Sequence, residues 1–115
     1  MPRIRHIAIL ANDTTALAAF YMTAFGMAEV SRQGEAVFLS DGHINLAVLP
    51  ARGRPEGMFH FGFEVDDLER AAERAVAAGA TAPETVPRDG RFAEAFVNDP
   101  VGTRVDLSEA GWKLA

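Results

Sequence analysis

The chain has 115 residues, 49% of them hydrophobic, and a net charge of −5 from 16 acidic and 11 basic side chains. That length builds one hydrophobic core of ordinary size, and basic residues scattered but for a small cluster at Arg52 and Arg54 argue against nucleic-acid binding. No apolar run approaches the roughly 18 residues of a membrane span, the amino-terminal stretch lacks a signal-peptide cleavage pattern, and without cysteine any metal site must use His, Asp or Glu. A soluble, cytoplasmic protein handling a small molecule, with no membrane or nucleic-acid partner, is the expectation.

Taken in order, His6 to Asp13 is an apolar run ended by two polar residues and predicts a strand leading into a helix. Leu17, Phe20, Tyr21, Ala24 and Phe25 then recur at helical spacing, which makes Tyr21 and Phe25 core residues, and Gly26 suits a left-handed stop. A short extended piece at Ala28 to Arg32 precedes a hairpin: Ala36 to Asp41, a turn at Asp41-Gly42, then Ile44 to Leu49. His43 falls in that turn and is expected to be exposed. Pro50 to Gly57, rich in Pro, Gly and Arg, reads as a surface linker.

The pattern then repeats. His60 to Asp67 lines up with His6 to Asp13, 54 residues later. Leu68, Ala71, Ala72, Ala75 and Val76 give a second helical stripe, Asp66 with Glu69 suggests a capping box, and Gly79 ends the helix. Glu84 to Val86 is a short extended piece and the polar loop Pro87 to Arg91 a candidate flap. Ala93 to Asp99, a turn over Pro100 to Gly102, and Thr103 to Ser108 form the second hairpin. The fold class is therefore α+β, two tandem βαβββ modules in a single domain over 1–115: about 1–50, a linker 51–57, and about 58–110. Each copy is too small to bury its own sheet face, so the two are expected to pack together.

Strand alternation sorts the side chains by face. His6 shares a face with Ile4, Ala8 and Leu10; His60 shares one with Gly62 and Glu64, while Phe59, Phe61 and Phe63 point away. A His beside Ala or Gly suggests an open, pocket-lining face. Arg104, Asp106 and Ser108 share a face on the last strand. His6, His60 and Asp106 together make a candidate divalent-metal site, two imidazoles and a carboxylate with positions left for water or substrate. Glu64 lies roughly 13 Å along the strand from His60, too far to share the ion, and Glu109 has the wrong parity. Histidines on strands are more often plain structural residues; what favours the metal reading is their equivalent placement in a duplication. Asn45, Glu64 and Arg104 are expected to face the pocket by parity, and Trp112 to pack a tail or a subunit contact.

These segments resemble the vicinal oxygen chelate superfamily, which includes glyoxalase I, bleomycin-resistance proteins, extradiol dioxygenases, fosfomycin-resistance thiol transferases and methylmalonyl-CoA epimerase. The resemblance rests on H-I-A-I near the start, F-Y-x-x-x-F-G-M from Phe20, H-F-G-F-E-V-D-D from His60 and D-P-x-G-x-R-V-D-L from Asp99, in that order. It implies two modules forming a cupped mixed sheet around a divalent metal, with ligands from the first and last strands of each module. Those positions are His6, Ala47, His60 and Asp106 here, the last usually a longer Glu.

Ala47 is the departure. Glyoxalase I and the epimerases use a carboxylate there as ligand and proton-moving base, which an alanine cannot be; Glu94 and Glu35 are the conceivable substitutes. Glyoxalase I activity is thereby disfavoured. The remaining His-His-carboxylate set resembles that of the extradiol dioxygenases and fosfomycin transferases, although Ala8 stands where the latter carry a hydroxyl residue, and the dioxygenases' further His and Tyr residues have no counterpart here. The expectation is a small metal-dependent enzyme, dioxygenase-like or lyase/transferase-like, binding Fe, Mn, Ni or Zn and acting on a small oxygen-chelating substrate. The alternative is a metal-free small-molecule binding protein of the bleomycin-resistance type; a structural or regulatory partner domain is a weaker third. A homodimer is implied by the resemblance.

Overall fold

Both helices begin at an aspartate. The Asp13 carboxylate accepts the Ala16 N–H at 3.0 Å and the Asp67 carboxylate the Arg70 N–H at 3.1 Å, satisfying donors that a helix start leaves open. The first helix stops at Gly26, whose φ of +71° is easiest for glycine and whose N–H returns to the Met22 carbonyl. The second cap lies one residue beyond the predicted one. Asp66 instead pairs with the amino terminus, and Arg70 rather than a carboxylate sits three residues past the cap, so there is no capping box.

The computed structural model describes residues 1–85 and 93–114. In chain order the elements are β1 (Arg3–Ala11), α1 (Thr14–Phe25), β2 (Ala28–Gln33), β3 (Ala36–Ser40), β4 (Asn45–Pro50), β5 (Gly57–Glu64), α2 (Leu68–Ala77), β6 (Glu84–Thr85), β7 (Ala95–Asn98) and β8 (Arg104–Ser108). The α+β class and the doubled β-α-β-β-β order are as expected. The candidate flap at 87–91 and Val86 lie outside the described residues. Among the described residues no helix is long and apolar enough to cross a membrane.

Two compact units result: His6–Phe59 with Lys113–Ala115, the first unit, and Met1–Arg5 with His60–Trp112, the second. The first orders its strands β2-β3-β4-β1, with β1 and β4 parallel and the other neighbours antiparallel. A register shift between Glu29 and Ser31 bends the β2 edge. Its core is Ala11, Ala18, Val37, Leu39, Leu46 and Val48. The second unit orders its strands β5-β8-β7-β6, with β5 and β8 parallel. Its core is Val65, Ala72, Val97, Val105 and Leu107, against which Phe61 and Phe63 pack. Phe61 and Phe63 thus face the helix side, which leaves His60 and Gly62 to the other face.

Helix α1 presents a different stripe from the predicted one. Thr14 and Ala18 are buried and Leu17, Tyr21 and Met22 pack on the core, whereas Phe20 is 54% and Phe25 71% exposed. Small Ala18 lets the helix approach β3 and β4, and outside the core Phe20 packs edge-on against both Tyr21 and Phe25.

Candidate metal centre

In the first unit His6 and Asn45 are direct partners in the parallel β1–β4 ladder, and both are buried. The Asn45 amide donates to the Lys113 carbonyl at 3.2 Å, which fixes its nitrogen on that side and turns its oxygen to His6. His6 Nδ1 stands 2.9 Å from that oxygen, so it carries the proton, and the ring's basic lone pair is on Nε2. Asn45, expected from strand parity to face the pocket, is fully buried with its amide oxygen on the histidine. Ala47 sits buried between Ala8 and Phe38 in the register, with no carboxylate to offer.

In the second unit His60 and Asp106 come from the adjacent parallel strands β5 and β8, and both are buried. His60 Nε2 lies 3.1 Å from Asp106 Oδ2, and Arg104 Nε donates to Asp106 Oδ1 at 2.8 Å. Arg104 shares the Asp106 face as predicted, and its guanidinium lies 4.1 Å from the centre of the Phe96 ring. Burial works to raise the Asp106 pKa, but the hydrogen bonds and charges of His60 and then Arg104 outweigh it and hold the carboxyl below its ordinary value. The aspartate is therefore ionised at neutral pH, the state a metal ligand requires.

The remaining acids sort themselves by partner. Glu109 accepts the Leu68 N–H at 2.6 Å at the start of α2. Glu64 is half-buried with its carboxylate against Gly111, not beside His60. Glu35 is exposed in the connection between β2 and β3. Glu94 is buried, and its oxygens accept the Ser108 hydroxyl, the Glu109 N–H at 2.8 Å and the Ala110 N–H at 3.3 Å. With three donors on its oxygens, it anchors the chain that follows β8 and is a poor candidate for a mobile proton base.

Sequence reading missed that segment. Gly62 does not open onto a pocket. A Cβ there would meet the Trp112 ring at 2.7 Å and Asp106 Cβ at 3.2 Å, so the indole lies on the backbone at Gly62. Trp112 does pack a tail, as expected, and the surface it packs on is the face bearing His60 and Asp106. The signal available beforehand was the small residue two places after the histidine, read there as empty space.

The glyoxalase-like domain family matches residues 6–108. A search of curated proteins finds no match. Among solved structures, methylmalonyl-CoA epimerase from Mycobacterium tuberculosis is similar at TM-score 0.73 and 17% identity, over 90% of this chain and 85% of that one. A hypothetical protein from Bacillus halodurans C-125 gives 0.73 and 17%, over 92% of both chains. The 2,3-dioxygenase LapB from Pseudomonas sp. KL28 gives 0.77 and 20%, over 98% of this chain but only 42% of its own length. At these identities the likeness is one of fold. The chain belongs to the glyoxalase-like domain family and, through it, to the vicinal oxygen chelate superfamily.

Proposed function

We propose that this chain is a small metal-dependent enzyme in which His6, His60 and Asp106 hold a divalent ion that binds a substrate through paired oxygens. The observation that carries the reading is the buried His60–Asp106 pair. Two ligand atoms on neighbouring positions of one ion, each about 2.0–2.2 Å from it, stand about 3 Å apart; Nε2 and Oδ2 are 3.1 Å apart. His6 is the third buried group able to offer a ligand atom, and Asn45 leaves its Nε2 as the basic nitrogen. Two imidazoles and one carboxylate suit Fe, Mn, Ni or Zn.

Such an ion supplies Lewis acidity toward oxygen ligands. The chain's own residues do the positioning: Asn45 sets the His6 tautomer, and Arg104 holds one Asp106 oxygen so that the other faces His60. Ala47 carries no base and the Glu94 oxygens are engaged by three donors, which favours dioxygenase-like or lyase/transferase-like chemistry over glyoxalase or epimerase chemistry. A small-molecule substrate, a homodimer and a cytoplasmic setting complete the reading.

A metal-free binding protein is the second reading, and one observation favours it: both Asp106 oxygens already have a protein partner, Oδ2 at His60 Nε2 and Oδ1 at Arg104 Nε. Calorimetric titration of metal-free, untagged protein with Mn²⁺, Fe²⁺, Ni²⁺ and Zn²⁺ separates the two. The first reading expects one site for at least one of these ions, lost in His60→Ala and Asp106→Ala. No binding of any of the four leaves only the second.

A further inference from the structure

The segment after β8 is built around a buried carboxylate. Glu94 gathers the Ser108 hydroxyl and the Glu109 and Ala110 amides, the Gly111 N–H donates back to Ser108 Oγ at 2.8 Å, and Gly111 turns at φ +74°. A buried carboxyl group is tolerable only when its oxygens find hydrogen-bond partners in this way. The turn delivers Trp112 onto Gly62, beside Asp106. Beyond the tryptophan, within the first unit, the Lys113 carbonyl accepts from Asn45 and the Leu114 carbonyl from the Ser40 hydroxyl. The strap 109–114 is thus pinned by side chains at both ends. Its middle is one large aromatic ring resting on the strand that carries His60.

We propose that this strap is a gate: Trp112 occupies the space in front of Asp106, and an oxygen ligand enters by displacing the indole. The inference rests on the metal reading above for the identity of that ligand, but the opening of the strap is a separate property. The strap lies outside the sheet ladders and is held through side chains rather than by strand pairing, and segments of that kind open locally without global unfolding. Because the closed state competes with ligand, apparent affinity is reduced by the fraction of time the gate is open.

Two measurements decide it. Native-state hydrogen exchange on the unliganded protein reads the gate whether or not metal binds. Amides of Glu109 to Trp112 are expected to exchange at least about tenfold faster than those of Val105 to Leu107 in β8. Equal, slow exchange in both would mean the strap opens only when the fold does, and would overturn the gate.

Oxalate binding to the Zn²⁺-loaded protein is the second measurement, followed by the emission of Trp112, the single tryptophan of the chain. Oxalate is expected to shift that emission to the red, and Trp112→Ala to bind oxalate about tenfold more tightly because the competing ring is gone. Weaker oxalate binding by a folded Trp112→Ala protein would make the indole a wall of the site and overturn the gate. Failure of Zn²⁺ to bind at all would count against the metal reading alone, with the exchange result still deciding the gate.

Discussion

His60 Nε2 and Asp106 Oδ2 face each other at 3.1 Å across two parallel strands, both buried, with Arg104 holding the second aspartate oxygen at 2.8 Å. This relationship makes Asp106 an anion inside the protein, and its consequences reach beyond any ion it binds.

The first concerns pH. A carboxyl whose folded pKa is depressed stabilises the fold fully above its unfolded value, about 3.9, and loses that contribution as pH falls through the lower folded value. At neutral pH Asp106→Asn is expected to cost about 1.5–3 kcal/mol, the range for a hydrogen bond to a charged group. That deficit should shrink as pH drops below about 4, where the wild type also loses its charge. Urea unfolding of both proteins from pH 7 to pH 3 checks this; a constant difference would contradict it.

Asn45 acts through His6. Asn45→Ala removes the acceptor that fixes Nδ1–H, and outer-shell partners of metal-binding histidines typically contribute 10–100-fold to affinity. Zn²⁺ affinity is expected to fall by that factor, with most of it retained in Asn45→Asp, whose carboxylate still accepts from Nδ1. Competition titration with a chromophoric chelator reads both.

Gly62 and Trp112 form a coupled pair. Gly62→Ala places a methyl group 2.7 Å from the indole and should destabilise by about 1–3 kcal/mol, as overpacking does. In a Trp112→Ala background the same substitution should cost less, with the approach to Asp106 Cβ at 3.2 Å left as the remaining tight contact. A double-mutant cycle by chemical denaturation measures the difference.

The α1 surface provides a control on packing. Phe25→Ser is expected to cost less than about 1 kcal/mol, since Phe25 is 71% exposed and its ring meets Phe20 and Tyr21 of its own helix. Leu39→Ala, in the fully buried core of the same unit, should cost about 2–5 kcal/mol. Had the predicted stripe been the packed one, the two would be comparable.

The legible parts of this molecule were those with a short physical period. The two-residue alternation of strands put His6, His60 and Asp106 on the faces where the structure has them, because one buried face makes a one-residue slip costly. The helical stripe of α1 was harder to read: nearly every side chain from Leu17 to Phe25 is apolar, so two stripes fit equally well and only tertiary packing on Ala18 chooses between them. Parity also reports a face without saying how deeply it is covered, so the full burial of Asn45 is not legible in the sequence. Glu94 was beyond local reading because its three donors lie on residues 108–110, 14 to 16 positions away. The small residue at Gly62 carried real information, but what it makes room for is the ring of Trp112.

The most direct test of the metal centre is anomalous scattering from crystals of untagged protein grown with Mn²⁺ or Zn²⁺. The account predicts one strong peak about 2.0–2.3 Å from His6 Nε2, His60 Nε2 and an Asp106 oxygen, absent in crystals of His60→Ala. A peak bound to other side chains, or none at saturating metal, would contradict it.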